Sequence, residues 1–279
     1  MLRWTCCLCT VGQVVSTLPE GEPVVGVTSL DDMIFVLRWK ERDQVEVYDV
    51  KIYRLQRCLT VPDARGFTDM TSCEHYRCVY IGDHNDKCIH RLDVQGAATR
   101  WAVNDKPSGL SVNAAHNVLV TCREARKIKE FSSHGYIARE LPLSVDLINP
   151  LHAIQLTSGE FVVCHGEPYD AVHRVCKISE DGREIINSHG GRRGSDIGQC
   201  NVPLGVAVDS SEFVYVVDND NRRVTLLSPT LDYVREVVSP DRLNWEPRTV
   251  YVQGRRLYVT DNDWRNGVWT TGRVVVISV

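Results

Sequence analysis

The stretch Gly198–Leu227 reads G-Q-C-N-V-P-L-G-V-A-V-D-S-S-E-F-V-Y-V-V-D-N-D-N-R-R-V-T-L-L and is the most complete copy of a pattern that occurs six times in this chain of 279 residues. A Pro-x-Gly step leads into an apolar strand, and a turn leads to a second apolar strand that ends at Asp218. A polar turn then leads to a third strand that carries Arg222 and Arg223. Repetition of such a unit indicates a repeat architecture.

The weaker copies have the same internal order. Val79–Ile89 aligns with Val214–Val224 without a gap, and Leu257–Asp263 repeats the first half of that segment. The copies begin, in order, at Gly26, Gly66, Gly109, His152, Gly205 and Thr249, so that successive steps are 40, 43, 43, 53 and 44 residues. A period of this length is typical of a propeller blade made of four short strands and their turns.

Closure of the ring follows from the two ends of the pattern. The last copy stops after its third strand, and Gly12–Leu18 resembles the outer strands of the other blades. A terminal strand that completes the last blade removes an exposed sheet edge. We therefore predict an all-β chain, a six-bladed β-propeller of four-stranded blades closed by the N-terminal strand. Residues 1–10 are predicted to be a tail and residues 11–279 the propeller, with blades that start near 23, 63, 106, 149, 202 and 247.

Composition and cysteine usage favour a cytoplasmic protein. The net charge is −4, the isoelectric point is near 6.1, and no apolar stretch of 18 or more residues predicts a membrane span. Most of the eleven cysteines are scattered, as expected of reduced thiols. Cys6 and Cys9 have the only C-x-x-C spacing, and no second pair completes a zinc site. We predict no metal and no cofactor, and the role of Cys6, Cys7 and Cys9 stays open.

The segment Gly194–Val224 resembles the NHL repeat, which combines Pro-x-Gly-Val-Ala-Val-Asp with Val-Tyr-Val-x-Asp and Asn-x-Arg-Val. The resemblance implies a six-bladed propeller like the C-terminal part of tripartite-motif proteins, which are associated with ubiquitin ligation. In such relatives the propeller binds RNA or protein through the face that carries the loops between second and third strands. This chain has no complete Cys/His pattern of a RING or B-box. It is not expected to perform ubiquitin transfer by itself.

The repeat also predicts a loop face, meaning the side of the ring that carries the turns between second and third strands and the loops leading into the inner strands. Binding groups concentrate on loops held by a rigid scaffold. The candidate partner-binding residues on this face are Arg38, Trp39, Lys40, His84, Arg123, Arg126, Lys127, Tyr169, Arg222, Trp264 and Arg265. Because acidic residues are mixed with these cations, a protein or peptide partner is predicted, with Trp and Arg side chains as anchors. The alternative is RNA held by a local basic patch with a stacking Trp.

Catalysis is the third possibility, as a metal-dependent hydrolase or lyase of the six-bladed propeller class. Such enzymes hold a cation with side chains that point into the channel from several blades. The six predicted inner-strand starts contain one histidine and no carboxylate, too few ligands for calcium. No G-x-S-x-G or H-E-x-x-H motif occurs. From the sequence we predict that the chain is not an enzyme.

Overall fold

The computed structural model describes residues 12–39, 44–265 and 267–279. Within these ranges the chain forms antiparallel four-stranded sheets, six in number, and the innermost strands of neighbouring sheets pack side by side around one axis. The short 3-10 turn Pro240–Arg242 is the one helical element in the same ranges. None of the described residues belongs to a helix of the length and apolarity needed to span a bilayer.

The first strand, β1 (Gln13–Thr17), precedes the first blade in sequence and belongs to the last. Blade 1 consists of β2 (Val24–Leu30), β3 (Met33–Arg38), β4 (Gln44–Asp49) and β5 (Leu55–Thr60). Blade 2 consists of β6 (Phe67–Cys73), β7 (Cys78–Asp83), β8 (Cys88–Asp93) and β9 (Ala98–Ala102). Blade 3 consists of β10 (Leu110–Val112), β11 (Val118–Cys122), β12 (Lys127–Phe131) and β13 (Ile137–Pro142).

The second half of the ring continues the same order from the axis outward. Blade 4 consists of β14 (Pro150–Gln155), β15 (Phe161–His165), β16 (Val172–Ile178) and β17 (Ile185–Arg192). Blade 5 consists of β18 (Pro203–Val208), β19 (Val214–Asp218), β20 (Arg223–Leu227) and β21 (Tyr233–Val238). Blade 6 consists of β22 (Glu246–Gln253), β23 (Arg256–Arg265), β24 (Val268–Ser278) and β1.

The ring is closed by β1, as the sequence predicts. Gln13 lies opposite Ser278 and Val14 opposite Ile277 in the antiparallel pair of β1 and β24. Just after β1, the amide of Leu18 donates to the carbonyl of Val274 at 2.9 Å, and the Leu18 side chain is completely buried. The all-β class, the number of blades and the closure by the N-terminal strand are confirmed.

The hydrophobic core lies between the blades. The second strands β7, β11, β15 and β19 are buried at every residue, which explains their nearly continuous Val, Ile, Leu, Tyr and Cys sequences. The outer strands β5 and β13 are mostly exposed and mixed in composition. Each large aliphatic side chain buried in this way contributes about 1.5–3 kcal/mol relative to an exposed one.

Charged pairs at the ends of the second strands fasten the loops that lead into the inner strands. In blade 5, Asp218 accepts from Nε of Arg223 at 2.8 Å and from the amide of Asn201 at 2.6 Å. In blade 6, the Nε of Arg273 donates to Asp261 at 2.8 Å. These buried aspartates therefore have a structural role in their own blades.

Candidate functional site

The loop face exists as a shared rim, because turns after the second strands bond directly to the loops that lead into the inner strands. The amide of Trp39 donates to the carbonyl of Pro23 at 2.7 Å, and the amide of His84 donates to the carbonyl of Gly66 at 2.8 Å. On the opposite side of the ring, the amide of Asn219 donates to the carbonyl of Val202. Residues predicted to lie on this face thus come from adjacent turns of one surface.

Arg38 is turned into the protein. Its guanidinium donates to the carbonyls of Glu22 at 2.7 Å and Pro19 at 2.9 Å, and its Nε pairs with Glu46 at 2.9 Å. It occupies the position that Asp218 has in blade 5, so that the charges of the pair are exchanged in blade 1. Arg38 acts as a structural link between the N-terminal segment and blade 1.

The other basic candidates are divided between ion pairs and solvent. Arg123 pairs with Glu167, which lies on the corresponding turn of the next blade. Lys127 contacts Glu140 at 2.9 Å, and this contact raises the pKa of the lysine. Arg126 and Arg222 are exposed. The described part of the loop face therefore alternates cations with carboxylates.

Two further candidates, Tyr169 and His84, lie apart from one another on different blades, and a third is not described. Tyr169 is fully exposed. Burial lowers the pKa of His84, and the nearby charge of Lys106 adds to this shift. Lys40 lies outside the described residues.

An aromatic hairpin stands out on the loop face, formed by the ends of β23 and β24. Trp264 lies opposite Trp269 in the register, with ring centroids 4.8 Å apart at an interplanar angle of 63°. Trp264 is 45% exposed and Val268 is 50% exposed. Arg265 pairs with Asp263 at 2.7 Å beside them. Trp39, 44% exposed, lies on the adjacent blade 1.

The central channel holds a cavity of 410 Å³ that is lined by the inner strands. The observed strand register changes the set of residues that the sequence predicts for the channel wall. Phe67 lies opposite Asp83 and Met70 opposite Ile81, which places Asp69 at the position of Gly205 in blade 5. The ring of equivalent channel positions therefore contains Asp69 where the sequence alignment put Gly66, so the predicted absence of a carboxylate is wrong.

Asp69 and His152 are coupled across blade 3. The Asp69 Oδ2 accepts from the amide of Leu110 at 2.8 Å, while Nε2 of His152 lies 2.8 Å from the Leu110 carbonyl and 3.7 Å from Asp69 Oδ2. The amide of Val206 is directed at Nδ1 at 3.3 Å, which makes that nitrogen the acceptor and Nε2 the donor. This arrangement describes a neutral imidazole with both nitrogens engaged.

Arg248 completes the charged cluster from blade 6. It lines the same cavity, and its buried Nε has no hydrogen-bond acceptor. Burial lowers the pKa of the guanidinium, and the charge of Asp69 opposes this shift. Burial raises the pKa of Asp69, against the amides of Leu110 and Met70 and the charge of Arg248. The channel thus contains ionisable side chains from three alternate blades.

Sequence reasoning missed Asp69 and Arg248, although one signal pointed to Asp69. The channel position precedes the end of the second strand by 12 or 13 residues in the other five blades. From Gly66 to Asp83 the interval is 17 residues, and from Asp69 it is 14. The second-strand end is therefore the better reference for aligning the blades. No comparable signal marks Arg248.

Blade 2 also contains a buried group of metal-ligand type. The side chains of Asp83, Cys88 and His90 place one potential ligand atom each within 4.8 Å of one another. The Asp83 carboxylate already accepts from the amides of Arg65 and Asn85, and burial raises the pKa of Cys88 to about 11. In this blade Cys88 occupies the register position of Arg223 and Arg273, and His90 contacts the aspartate instead, so hydrogen bonding accounts for the cluster.

Comparisons with known proteins show similarity in fold and no similarity in sequence that identifies a family. No protein-family model and no curated protein matches this sequence. Similar solved structures include a catalytically inactive histidine-to-alanine variant of virginiamycin B lyase from Staphylococcus aureus with Quinupristin, at 12% identity and a TM-score of 0.63, covering 96% of this chain and 98% of that one. The PQQ-bound aldose sugar dehydrogenase from Streptomyces coelicolor is 14% identical with a TM-score of 0.71, covering 96% of this chain and 97% of that one. The Cps50 (Swd1) β-propeller domain of Myceliophteria thermophila is 11% identical with a TM-score of 0.59, covering 96% of this chain and 99% of that one.

These structures correct one prediction. The statement that the chain is not an enzyme is wrong, because a lyase and a dehydrogenase share its fold over nearly their whole length. One premise behind that prediction is also wrong, since the carboxylate of Asp69 lines the channel together with His152. At identities this low the likeness carries no activity over to this chain.

Proposed function

We propose that the chain recognises a protein partner through an aromatic patch on the loop face, formed by Trp39, Trp264, Val268 and Trp269. The observation that carries this proposal is the tryptophan pair at the end of the β23–β24 hairpin, in which Trp264 is exposed and Trp269 is half-buried beside it. Exposed Trp side chains that can be enclosed by a partner are the commonest strong contributors to protein interfaces. Removing such apolar surface from water supplies binding energy without a positive field.

Strand pairing holds the two strands of the hairpin on either side of its tip. Its register continues through Trp264 and Trp269, and the Thr270 hydroxyl donates to Asp263 Oδ2 at 3.0 Å. The pair of Arg265 and Asp263 lies on the same hairpin. Side chains held in this way lose less conformational freedom on association, which favours affinity. The NHL-like pattern supports the same proposal, because in that family this face binds partners.

RNA is the less favoured partner. Phosphate binding needs cations that are free to replace counterions. Arg38 and Arg123 are engaged in ion pairs within the protein, and Lys127 contacts Glu140. A nucleic acid would have to compete with these carboxylates.

The test is affinity capture from cells that express the protein, with wild type compared to Trp264→Ala and Trp39→Ala. We expect each variant to lose at least one partner that the wild type retains, with affinity reduced by about 30-fold, as for removal of an interface hot spot. Thermal stability should stay unchanged because both side chains are half exposed. Tyr169→Ala is the matched control, since this exposed aromatic on the loop face lies outside the patch.

Two results would contradict the proposal. One is a set of captured proteins that is identical for wild type and both Trp variants. The other is tight binding of labelled single-stranded RNA that weakens steeply with salt and is lost in Arg126→Ala, which would assign the loop face to RNA.

A further inference from the structure

We propose that the central channel binds a small organic acid, with the guanidinium of Arg248 receiving its carboxylate. This site is separate from the aromatic patch, and the inference does not depend on the proposed protein partner. It rests on the charges of the channel, on their existing hydrogen bonds and on the shape and walls of the cavity.

Arg248 is a partly buried cation, and the charge of Asp69 acts on it without forming an ion pair. Its Nε is inaccessible to solvent and has no acceptor. Within residues 12–39, 44–265 and 267–279, no carboxylate oxygen lies within 4.0 Å of its side-chain nitrogens. A guanidinium stays protonated at neutral pH even when its pKa is lowered. Removing part of a guanidinium from water without pairing it is unfavourable, and a bound anion would offset that cost.

The other charged groups of the channel, and the imidazole of His152, already have hydrogen-bond or ion-pair partners. His152 is neutral, with Nδ1 facing the amide of Val206 and Nε2 facing the carbonyl of Leu110. Asp69 accepts from the amide of Leu110. At the mouth of the cavity, Arg123 is paired with Glu167. Arg248 is therefore the group of the channel that is available to an anion.

The balance of charge selects a carboxylate over a phosphate. The fork of a guanidinium matches the two oxygens of one carboxylate, and one positive charge balances one negative charge. A phosphate dianion would bring a second negative charge close to Asp69 with no further free cation in the channel. The ligand that fits is thus a monoanion.

The walls define the rest of the ligand. The cavity of 410 Å³ lies within the usual range for small-molecule sites. Its apolar lining includes Val27, Leu151, Ile154, Leu204, Val206 and Val250. An acid with a compact apolar body would bury that body against these side chains while its carboxylate meets Arg248. Because both nitrogens of His152 are engaged, the inference concerns binding and includes no chemical step.

Calorimetric titration with benzoate, benzamide and inorganic phosphate tests the inference. We expect saturable 1:1 binding of benzoate, with benzamide at least tenfold weaker because it lacks the charge, and phosphate weaker than benzoate. Arg248→Met should weaken benzoate at least tenfold, which corresponds to about 1.4 kcal/mol. Arg91→Met is the matched control, because Arg91 also has a buried Nε without an acceptor but lies outside the channel. This variant should bind benzoate like the wild type.

Thermal unfolding provides a second measurement. Benzoate should raise the midpoint of the wild type and leave that of Arg248→Met unchanged. Without ligand, Arg248→Met should be at least as stable as the wild type, because it removes a partly buried cation whose Nε has no acceptor. If this variant does not fold, Arg248→Lys replaces it, and a tenfold loss of benzoate binding is again expected because lysine has no fork.

Three outcomes would overturn the inference. They are absence of saturable benzoate binding to the wild type, equal affinities for benzoate and benzamide, and phosphate binding that is tighter than benzoate binding and depends on Arg248. The first two remove the carboxylate site, and the third assigns the site to phosphate. None of these results affects the aromatic patch, so failure of this inference is distinguishable from failure of the proposed function.

Discussion

At the scale of single residues, one structural position is filled by different chemistry from blade to blade. Asp218 and Asp261 each pair with an arginine, whereas Asp83 faces His90 at 3.5 Å. In blade 1 the arginine is Arg38 itself, paired with a glutamate. What is retained is a charged or polar contact that holds the adjacent loop. The residue type alone therefore does not distinguish a structural pair from a binding residue.

The pair in blade 6 predicts a large loss of stability when it is broken. Asp261 is completely buried and accepts from the amides of Asn244 and Trp245 as well as from Arg273. Arg273→Met leaves a buried carboxylate with backbone donors only, and we expect a loss of about 2–4 kcal/mol in the free energy of unfolding measured by urea denaturation. Lys51→Met is the control, because its contact with Asp32 is exposed on both sides and should contribute almost nothing. Equal effects of the two variants would contradict this account.

At the scale of elements, the inner strands approach one another so closely that glycine is required in places. A Cβ added at Gly109 would lie 2.5 Å from Cδ2 of His152 and 2.6 Å from the carbonyl oxygen of Leu151. The equivalent atom at Gly205 would lie 3.1 Å from the carbonyl oxygen of Arg248. Where the ring position carries Asp69 or His152 instead, the side chain faces the channel.

These distances predict unequal effects of the same substitution. Gly109→Ala should lower the free energy of unfolding by about 1–3 kcal/mol, because the backbone of β14 has to shift. Gly205→Ala should cost clearly less, since its nearest contact needs a displacement of only a few tenths of an ångström. Urea denaturation of both variants measures the difference. A larger effect at Gly205 would show that the strands around the axis are spaced differently.

At the scale of the whole molecule, stability depends on a ring that is closed by pairing of the first strand with the last strand. Gln13 lies opposite Ser278, so the first and last strands form one continuous antiparallel pair. Without β1, strand β24 would present a free edge, and Leu18 would leave the core between blades 6 and 1. Loss of the Leu18 packing lowers the free energy of unfolding, and the free edge of β24 is a surface prone to association.

Circular permutation separates closure from the position of the chain ends. Joining Val279 to Gly12 through about four residues and opening the chain between Ile197 and Gly198 keeps every blade intact. Ile197 is exposed in the loop between blades 4 and 5. We expect the permuted protein to unfold within about 5 °C of the parent, whereas removal of residues 1–18 lowers the midpoint by about 10 °C or more. Calorimetry decides, and a permuted protein as unstable as the truncated one would contradict closure by β1.

Local sequence determined the architecture of this protein. Apolar runs, turn residues and the spacing of Asp218-like positions are properties of neighbouring residues, and they are sufficient to predict six blades, the closing strand and the residues of the loop face. The exposed Trp264 was predictable for the same reason, since it lies in a polar segment between two recognisable strands.

Tertiary structure alone decided which side chains meet. Asp69, His152 and Arg248 come from alternate blades, and they converge because all inner strands share one axis. An offset of three residues in aligning blade 2 was enough to hide Asp69; the long interval to Asp83 indicated an offset, and the strand pairing shows the extra residue opposite Gly82. The ion pair of Arg123 with Glu167 likewise joins two blades. Contacts of this kind depend on distances across the ring, which closure sets and local sequence does not record.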